Sequence, residues 1–348
     1  MGRQESLWSA VRRAARPVPR GQAPFEGTAM LIVIGLAVAS GQSAPSAAAP
    51  HDARPVIRKL GAIDCDMVEA TPIVWRGRLY RFEYVRRNYK PNTTGDSHFR
   101  FIDVATGRPT PAFAAGCHLG SAYVEGDTVY VYGVDEWGGS EIRVFWSDDL
   151  KAWESKAALS LPGWGIYNNS VCKGDGRYAM AFEVGEPPQE VGVRFTMRFA
   201  ESSDLLDWRV TPPECVFSKD RYTACPALRF LDGFYYMIYL EARPGPTYEP
   251  HIVRSRDLVR WESSPFNPIM QFSPEDKLIA NPGLSPDQRK LIADAVNLNN
   301  SDVDLCESEG KVVIYYSWGN QQGIEFLAEA VHDGPLAGFL RGWFPHRD

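Results

Sequence analysis

The chain has 348 residues and a formal net charge of −6, with 44% hydrophobic and 12% aromatic residues. That balance supplies enough apolar material for a large core and no basic footprint for nucleic acid. Thirty glycines and 26 prolines argue against a helical protein and for one built from turns and strands.

The first 50 residues differ from the rest. Arg12, Arg13, Arg16 and Arg20 make the start basic, and an eleven-residue apolar run, Ala29 to Ala39, is followed by small residues through Ala49. This pattern predicts a signal peptide and N-terminal segment over 1–50, cleaved between Ala39 and Pro50, because the run is too short to span a bilayer as a mature helix. The expectation is a secreted or periplasmic protein with no membrane segment after cleavage. Residues 51–348 read as a single domain.

From residue 60 onward, β-branched and aromatic runs broken by a Gly turn recur: Pro72 to Tyr84, Ser121 to Tyr132, Ser170 to Phe182, Pro226 to Leu240 and Val303 to Trp318. These are hairpin signals. Three of the repeats carry one phrase, Ser-x-Asp-Leu-x-x-Trp, starting at Ser147, Ser202 and Ser255. The first copy has a degraded turn, Ile102 to Gly107, and the last ends near Asp333. Radial repetition of such four-stranded antiparallel sheets predicts an all-β fold, a five-bladed β-propeller, with the tryptophans of the phrase packed between blades.

Between the fourth and fifth hairpins the repeat is stretched by a helical insertion. Ser285-Pro286-Asp287-Gln288 reads as a capping box with Pro at the first helical position, followed by Leu291, Ile292 and Val296 as an apolar stripe. An inserted loop on a rigid scaffold can carry function, and a helix plugging a gap on the flank is the competing reading.

Six cysteines match no disulfide framework or zinc motif. Cys65, Cys117, Cys172, Cys225 and Cys306 fall one per blade, close to the hairpin starts. Buried thiols are the favoured reading, and Cys215 with Cys225 is the pair to test as a bridge.

In a propeller, the residues just before each inner strand gather at one mouth of the central channel. Those segments are acidic here: Asp64, Asp66 and Glu69 before blade one, Asp302 and Asp304 at blade five, with His118, Asn169 and Cys225 from the blades between. Carboxylates crowded together cannot all ionise, which separates an acid from a base at one site, and glycoside hydrolysis requires such a pair. Glu83, Glu183 and Glu241, at the ends of the second strands, are a second acidic source. Arg243 follows Glu241 as a natural partner for it or for a sugar hydroxyl.

The hairpins and their Ser-x-Asp-Leu-x-x-Trp turns resemble the five-bladed propeller glycosidases, the group that includes glycoside hydrolase families 43, 32, 62, 117 and 130. The resemblance covers residues 60 to 330. It implies catalysis by carboxylates at the propeller axis on a plant, algal or microbial oligo- or polysaccharide, of arabinofuranosidase/xylosidase or anhydrogalactosidase type, with no cofactor required. The motifs depart from the families. Where family 43 has Asp-Pro this chain has Thr71-Pro72, leaving Asp66 or Glu69 as base, and where family 32 has Glu-Cys-Pro it has Ala224-Cys225-Pro226. The acid then falls to Glu183, Glu241 or His118, the last because family 117 is known for an acid histidine.

Asn169, Arg243, Asp302, Trp318 and Asn320 are candidate substrate-binding residues. Trp137, Trp164, Tyr167, Tyr222 and Tyr248, in or beside loops, offer further ring faces to sugars. Asp302 and Asp304 are also the candidates for a structural calcium ion, as oxygen-rich clusters are. A non-catalytic glycan-binding propeller, or a phosphorylase using Arg86, Arg87 and Arg243, are the alternatives. The partner in each case is a carbohydrate. The oligomeric state is left open.

Overall fold

The computed structural model describes residues 54–86, 97–245, 247–321 and 324–345. The segment read as a signal peptide, and Arg87, lie outside the described residues. Residues 54–348 form one compact unit.

Among the described residues, twenty-one strands make five antiparallel sheets. Blade one is β2 (Ala70–Trp75), β3 (Arg78–Val85), β4 (His98–Asp103) and β5 (Arg108–Pro109). Blade two is β6 (His118–Glu125), β7 (Thr128–Val134), β8 (Glu141–Ser147) and β9 (Glu154–Ser160). Blade three is β10 (Gly165–Lys173), β11 (Tyr178–Glu186), β12 (Thr196–Ser202) and β13 (Arg209–Val210), with β14 (Val216–Phe217) also paired to β12. Blade four is β15 (Thr223–Leu231), β16 (Phe234–Arg243), β17 (Thr247–Ser255) and β18 (Trp261–Ser263). Blade five is β19 (Asn299–Ser308), β20 (Lys311–Gly319) and β21 (Phe326–Asp333), and its outermost strand is β1 (Arg58–Cys65). The inner strands β2, β6, β10, β15 and β19 neighbour one another in a closed ring. This is the five-bladed propeller expected from the repeats.

The repeated phrase works as a turn and as a wedge. In each copy the Asp carboxylate accepts two backbone amides: Asp149 Oδ1 from Lys151 and Ala152 at 2.8 and 2.9 Å, and Asp204 and Asp257 likewise. Leu150, Leu205 and Leu258 adopt left-handed backbone with φ of 59°, 69° and 60°, and their side chains are buried. Each Trp then packs on the preceding blade. Trp153 stacks on Phe113 with centroids 3.9 Å apart, Trp208 meets Tyr132 edge-on at 5.7 Å, and Trp261 stacks on Phe199 at 5.5 Å. The inter-blade role expected for the three tryptophans holds.

Ring closure is where sequence and structure part. The repeat pattern starts blade one at residue 60, yet β1 pairs with β21 and completes blade five, so the first and last parts of the propeller share one sheet. Asp64 and Cys65 therefore lie on an outer strand, and the rule of one cysteine per hairpin start fails at Cys65.

The insertion secures that closing strand. It contains a 3-10 turn (Pro274–Lys277) and the helix α2 (Pro286–Asp294), preceded in the chain by the single turn α1 (Pro188–Val191) and followed by α3 (Leu336–Gly342). Leu278 O accepts the Ala62 amide at 2.7 Å, Ala62 O accepts the Ala280 amide at 3.0 Å, and a side chain on Gly61 would collide with Leu278. Lys59 forms a buried ion pair with Asp276 at 2.6 Å, and Asp276 also receives hydrogen bonds from Tyr316, Asn297 and Asn300. Covering β1 in this way removes an exposed sheet edge. The Ser285 capping box forms as read, with Ser285 Oγ accepting from the Gln288 amide at 3.2 Å. The apolar stripe does not: Ile292 is buried, while Leu291 and Val296 are exposed.

All six cysteines are free thiols. Cys215 packs in the cluster that holds Phe217 and Tyr239, whereas Cys225 stands at the axis, so the suggested bridge does not form.

Candidate active site

Four inner strands break register at the same level. The irregularities lie between His118 and Ser121 in β6, Ile166 and Asn169 in β10, Ala224 and Ala227 in β15, and Ser301 and Asp304 in β19. Leu119, Cys225 and Asp302 take positive φ there, at 52°, 53° and 50°. A bulge re-aims the side chain it carries. Together with Glu69, immediately before β2, these bulges surround an axial pocket of about 330 Å³ whose polar lining includes Glu69, Ser121, Asn168, Asn169, Cys225 and Asp302.

Two of the predicted acids interact electrostatically: Glu69 lines the pocket, and Glu183 is hydrogen-bonded to Asn168 and Cys225 of its lining. Glu183, on β11, is buried, and its Oε2 accepts from Asn168 Nδ2 at 3.0 Å and from the Cys225 amide at 3.1 Å. Burial pushes its carboxyl up to about 8, against those two hydrogen bonds, and the charges of Asp302 and Glu69 add to the rise. Both donors bond Oε2 rather than Oε1. Glu69 rises less, to about 7: burial and Asp302 raise it, and the Arg86 guanidinium, 3.4 Å away, holds it down. Two carboxyls at one site thus separate into a stronger and a weaker acid, through burial and neighbouring charge.

Asp302 joins them. Its Oδ2 accepts from Ser317 Oγ at 2.8 Å, and the Cys225 thiol hydrogen-bonds to it, a thiol pushed far above its ordinary range by burial and by the surrounding acids. A fourth carboxyl, Glu325, was not read from the sequence. It precedes β21, is fully buried, accepts the Gln321 amide at 2.5 Å, and is pushed up to about 8 by burial, with Asp302 contributing. Counting only the segments before inner strands misses it, since it arrives from the far end of blade five's second turn.

Most of the remaining candidates are placed elsewhere. The Asp66 amide donates to Glu325 O at 2.8 Å with φ of 58°, and Asp66 is not among the pocket-lining residues. Glu241 is held by Arg221 at 3.0 Å and by Tyr239 Oη at 2.9 Å, away from the axial pocket, and Arg243 pairs with Glu249 rather than with Glu241. Glu83 lies between Arg81 and Arg100, at 2.6 and 2.7 Å. His118 is buried, with Nδ1 2.5 Å from Tyr84 Oη and Nε2 3.4 Å from Ser97 Oγ. Asn169 lines the pocket, its Oδ1 accepting from Ser121 Oγ at 2.7 Å. Asn320 contributes a backbone hydrogen bond to Glu325. Trp318 is fully buried and stacked on Phe326 at 4.4 Å, so its face is unavailable to a sugar, because β20 is the covered second strand of its blade.

Asp302 and Asp304, the candidates for a calcium ion, both line the axial pocket. Asp304 is neutralised by Arg229 at 2.5 Å, and among the described residues no group of three or more His, Cys, Asp or Glu is arranged to hold a metal ion.

No protein-family model matches the chain, and no curated protein matches it in sequence. Solved structures do match its fold. A BT0996 complex with RGII aligns with a TM-score of 0.59 and 14% identity over 82% of this chain and 94% of that one. A thermostable family-43 glycoside hydrolase aligns at 0.52 and 13% over 80% and 96%, and a Bombyx mori GH32 β-fructofuranosidase in complex with sucrose at 0.52 and 12% over 81% and 65%. The shared feature is the five-bladed propeller of the family 43 and family 32 type of glycoside hydrolase, and at these identities the individual family is unresolved.

Proposed function

We propose that this chain is an exported glycoside hydrolase in which Glu183 is the general acid and Glu69 the base or nucleophile, acting at the end of a plant, algal or microbial glycan. The observation that carries the reading is the carboxyl pair itself: Glu69 lines the axial pocket, Glu183 is hydrogen-bonded to Asn168 and Cys225 of its lining, and Glu183 keeps its proton to higher pH than Glu69. Hydrolysis needs that order. Glu183 gives its proton to the glycosidic oxygen as the bond to the anomeric carbon breaks, and Glu69 either attacks that carbon or takes a proton from the attacking water. Arg86 favours the ionised form of Glu69.

His118 has both ring nitrogens engaged, Nδ1 by Tyr84 Oη and Nε2 by Ser97 Oγ. This supports an arabinofuranosidase- or xylosidase-like reaction over one with an acid histidine. Export rests on the apolar run Ala29 to Ala39. Among the described residues no helix is long and apolar enough to cross a membrane.

The test is a screen of the purified chain against aryl glycosides and polysaccharide oligomers, beside Glu69→Gln and Glu183→Gln. Sugar release abolished by both substitutions, with circular dichroism unchanged, is the expected result. Glycan binding without turnover, unaffected by either change, would return the protein to a binding propeller.

A further inference from the structure

Arg86, one residue past the end of β3, is a buried cation, its side chain only 4% exposed. A guanidinium shut away from water needs partners for its planar face as well as for its N–H groups. Glu69 is its carboxylate, with Oε2 3.4 Å from Arg86 Nη2. Two aromatic rings complete the surroundings. The guanidinium lies over the ring of Tyr84, on β3, at 5.1 Å from its centroid, and over the ring of Trp137, in the turn between β7 and β8, at 5.5 Å. Blade two thus supplies a ring to a cation whose carboxylate belongs to blade one.

The turn that carries Trp137 is tied down. The Gly139 amide donates to Glu136 O at 3.0 Å, and the Ile166 amide donates to Gly139 O at 2.8 Å. Gly138 takes φ of 68°, and a side chain on it would collide with Tyr167 Oη. Tyr167 in turn meets the Trp137 ring edge-on at 6.2 Å. His118 joins the two rings that serve Arg86: it meets Trp137 edge-on at 6.0 Å and Tyr84 at 5.6 Å, with Nδ1 2.5 Å from Tyr84 Oη. Read from the sequence as a ring for sugars, Trp137 gives a face to Arg86, and His118, read as an acid, is part of the support.

We propose that Trp137 is a positioning residue for the base, holding Arg86 against Glu69 across the boundary between blades one and two, with His118 bracing its ring. This deepens the reading above and rests on Glu69 as the base. A cation over an aromatic face is attracted by the ring quadrupole, and more strongly where water is excluded. Arg86 also acts on Glu325, so without the Trp137 ring it has a second carboxyl toward which to turn. Asp302, Glu183, Cys225 and Tyr84 face Glu69 as well, and none of them is a cation. Loosening Arg86 therefore leaves Glu69 protonated to higher pH.

Carbon NMR of protein labelled at the glutamate Cδ reads Glu69 directly, its signal identified by its loss in Glu69→Gln. Wild type, Trp137→Leu, Trp137→Phe, Arg86→Gln and the Trp137→Leu/Arg86→Gln double variant are titrated from pH 4 to 10. Arg86→Gln should raise the Glu69 midpoint by about one pH unit or more, and Trp137→Leu by about half a unit. Trp137→Phe keeps an aromatic face and should fall between Trp137→Leu and wild type, which also serves if leucine disturbs the turn. In the double variant, Trp137→Leu should add nothing to Arg86→Gln. An unmoved midpoint in Trp137→Leu, or an equal shift when Arg86 is already Gln, overturns the proposal. The pH profile of kcat/KM on an aryl glycoside tests the reading beneath it: the acidic limb should move with the Glu69 midpoint. A midpoint that shifts as expected while the limb stays in place, or a wild type that hydrolyses nothing, supports the hold on Arg86 and overturns Glu69 as the base, so the two failures are told apart.

Discussion

The backbone amide of Cys225, in the opening strand of blade four, donates to Glu183 Oε2, in the second strand of blade three, at 3.1 Å. Together with the bond from Asn168, this hydrogen bond across a blade boundary holds the orientation of the residue proposed as the acid. The bulge at Cys225 makes it, since φ of 53° turns that amide out of the strand ladder.

Activity should follow a bell-shaped pH profile near neutrality. Glu69 must be ionised, which occurs above about 7, and Glu183 protonated, which holds below about 8. Glu183→Gln should lower kcat by about 10²- to 10⁴-fold on substrates with poor leaving groups and remove the alkaline limb. A profile recorded from pH 4 to 10 on wild type and variant checks both points.

Arg86→Gln should shift the acidic limb upward. Arg86 is the chief influence lowering the Glu69 carboxyl, so without it Glu69 stays protonated to higher pH. The expected outcome is a displaced limb in kcat/KM with the alkaline limb in place. An unmoved acidic limb would show that the ion pair does not govern the base.

The site should cost stability as pH rises. Glu69, Glu183 and Glu325 all have folded-state values raised above the ordinary 4.5, to about 7, 8 and 8. The folded state therefore binds more protons than the unfolded one, and unfolding free energy falls as pH climbs from about 4.5 to about 8, then levels. Melting temperature should drop across that window. Glu325→Gln should flatten the drop, with its benefit at pH 8.5 exceeding that at pH 5.

Ring closure is open to a direct test. Lys59→Met leaves Asp276 buried without its cation and should destabilise the fold by about 3–5 kcal/mol, the usual cost of breaking a buried pair from one side. Chemical denaturation measures it. A loss below about 1 kcal/mol would mean that the hydrogen bonds from Tyr316, Asn297 and Asn300 suffice to hold Asp276.

Trp208→Ala removes a buried wedge between blades two and three and should cost about 3–5 kcal/mol, with circular dichroism at 25 °C retained. Thermal melts decide it.

The blades, the turns and the axis were legible in the sequence because each is a local event written several times over. Ser-x-Asp-Leu-x-x-Trp places a carboxylate within reach of the amides two and three residues on, so Asp149, Asp204 and Asp257 make the same turn wherever the phrase occurs. Hairpin alternation likewise needs only neighbours, and it located the mouths where Glu69, Asn169 and Asp302 stand. Tertiary structure decided what depends on elements distant in sequence. The pairing of β1 with β21 sent Asp64 to an outer strand, and the second strands took Glu241 to Arg221 and Glu183 to Cys225, although the two glutamates occupy equivalent hairpin ends. Trp318, an apparent loop aromatic, went into the core, and Glu325 came to the axis from outside the repeat. A carboxyl's role is set by burial and by the charges around it, and those belong to the assembled ring rather than to any stretch of chain.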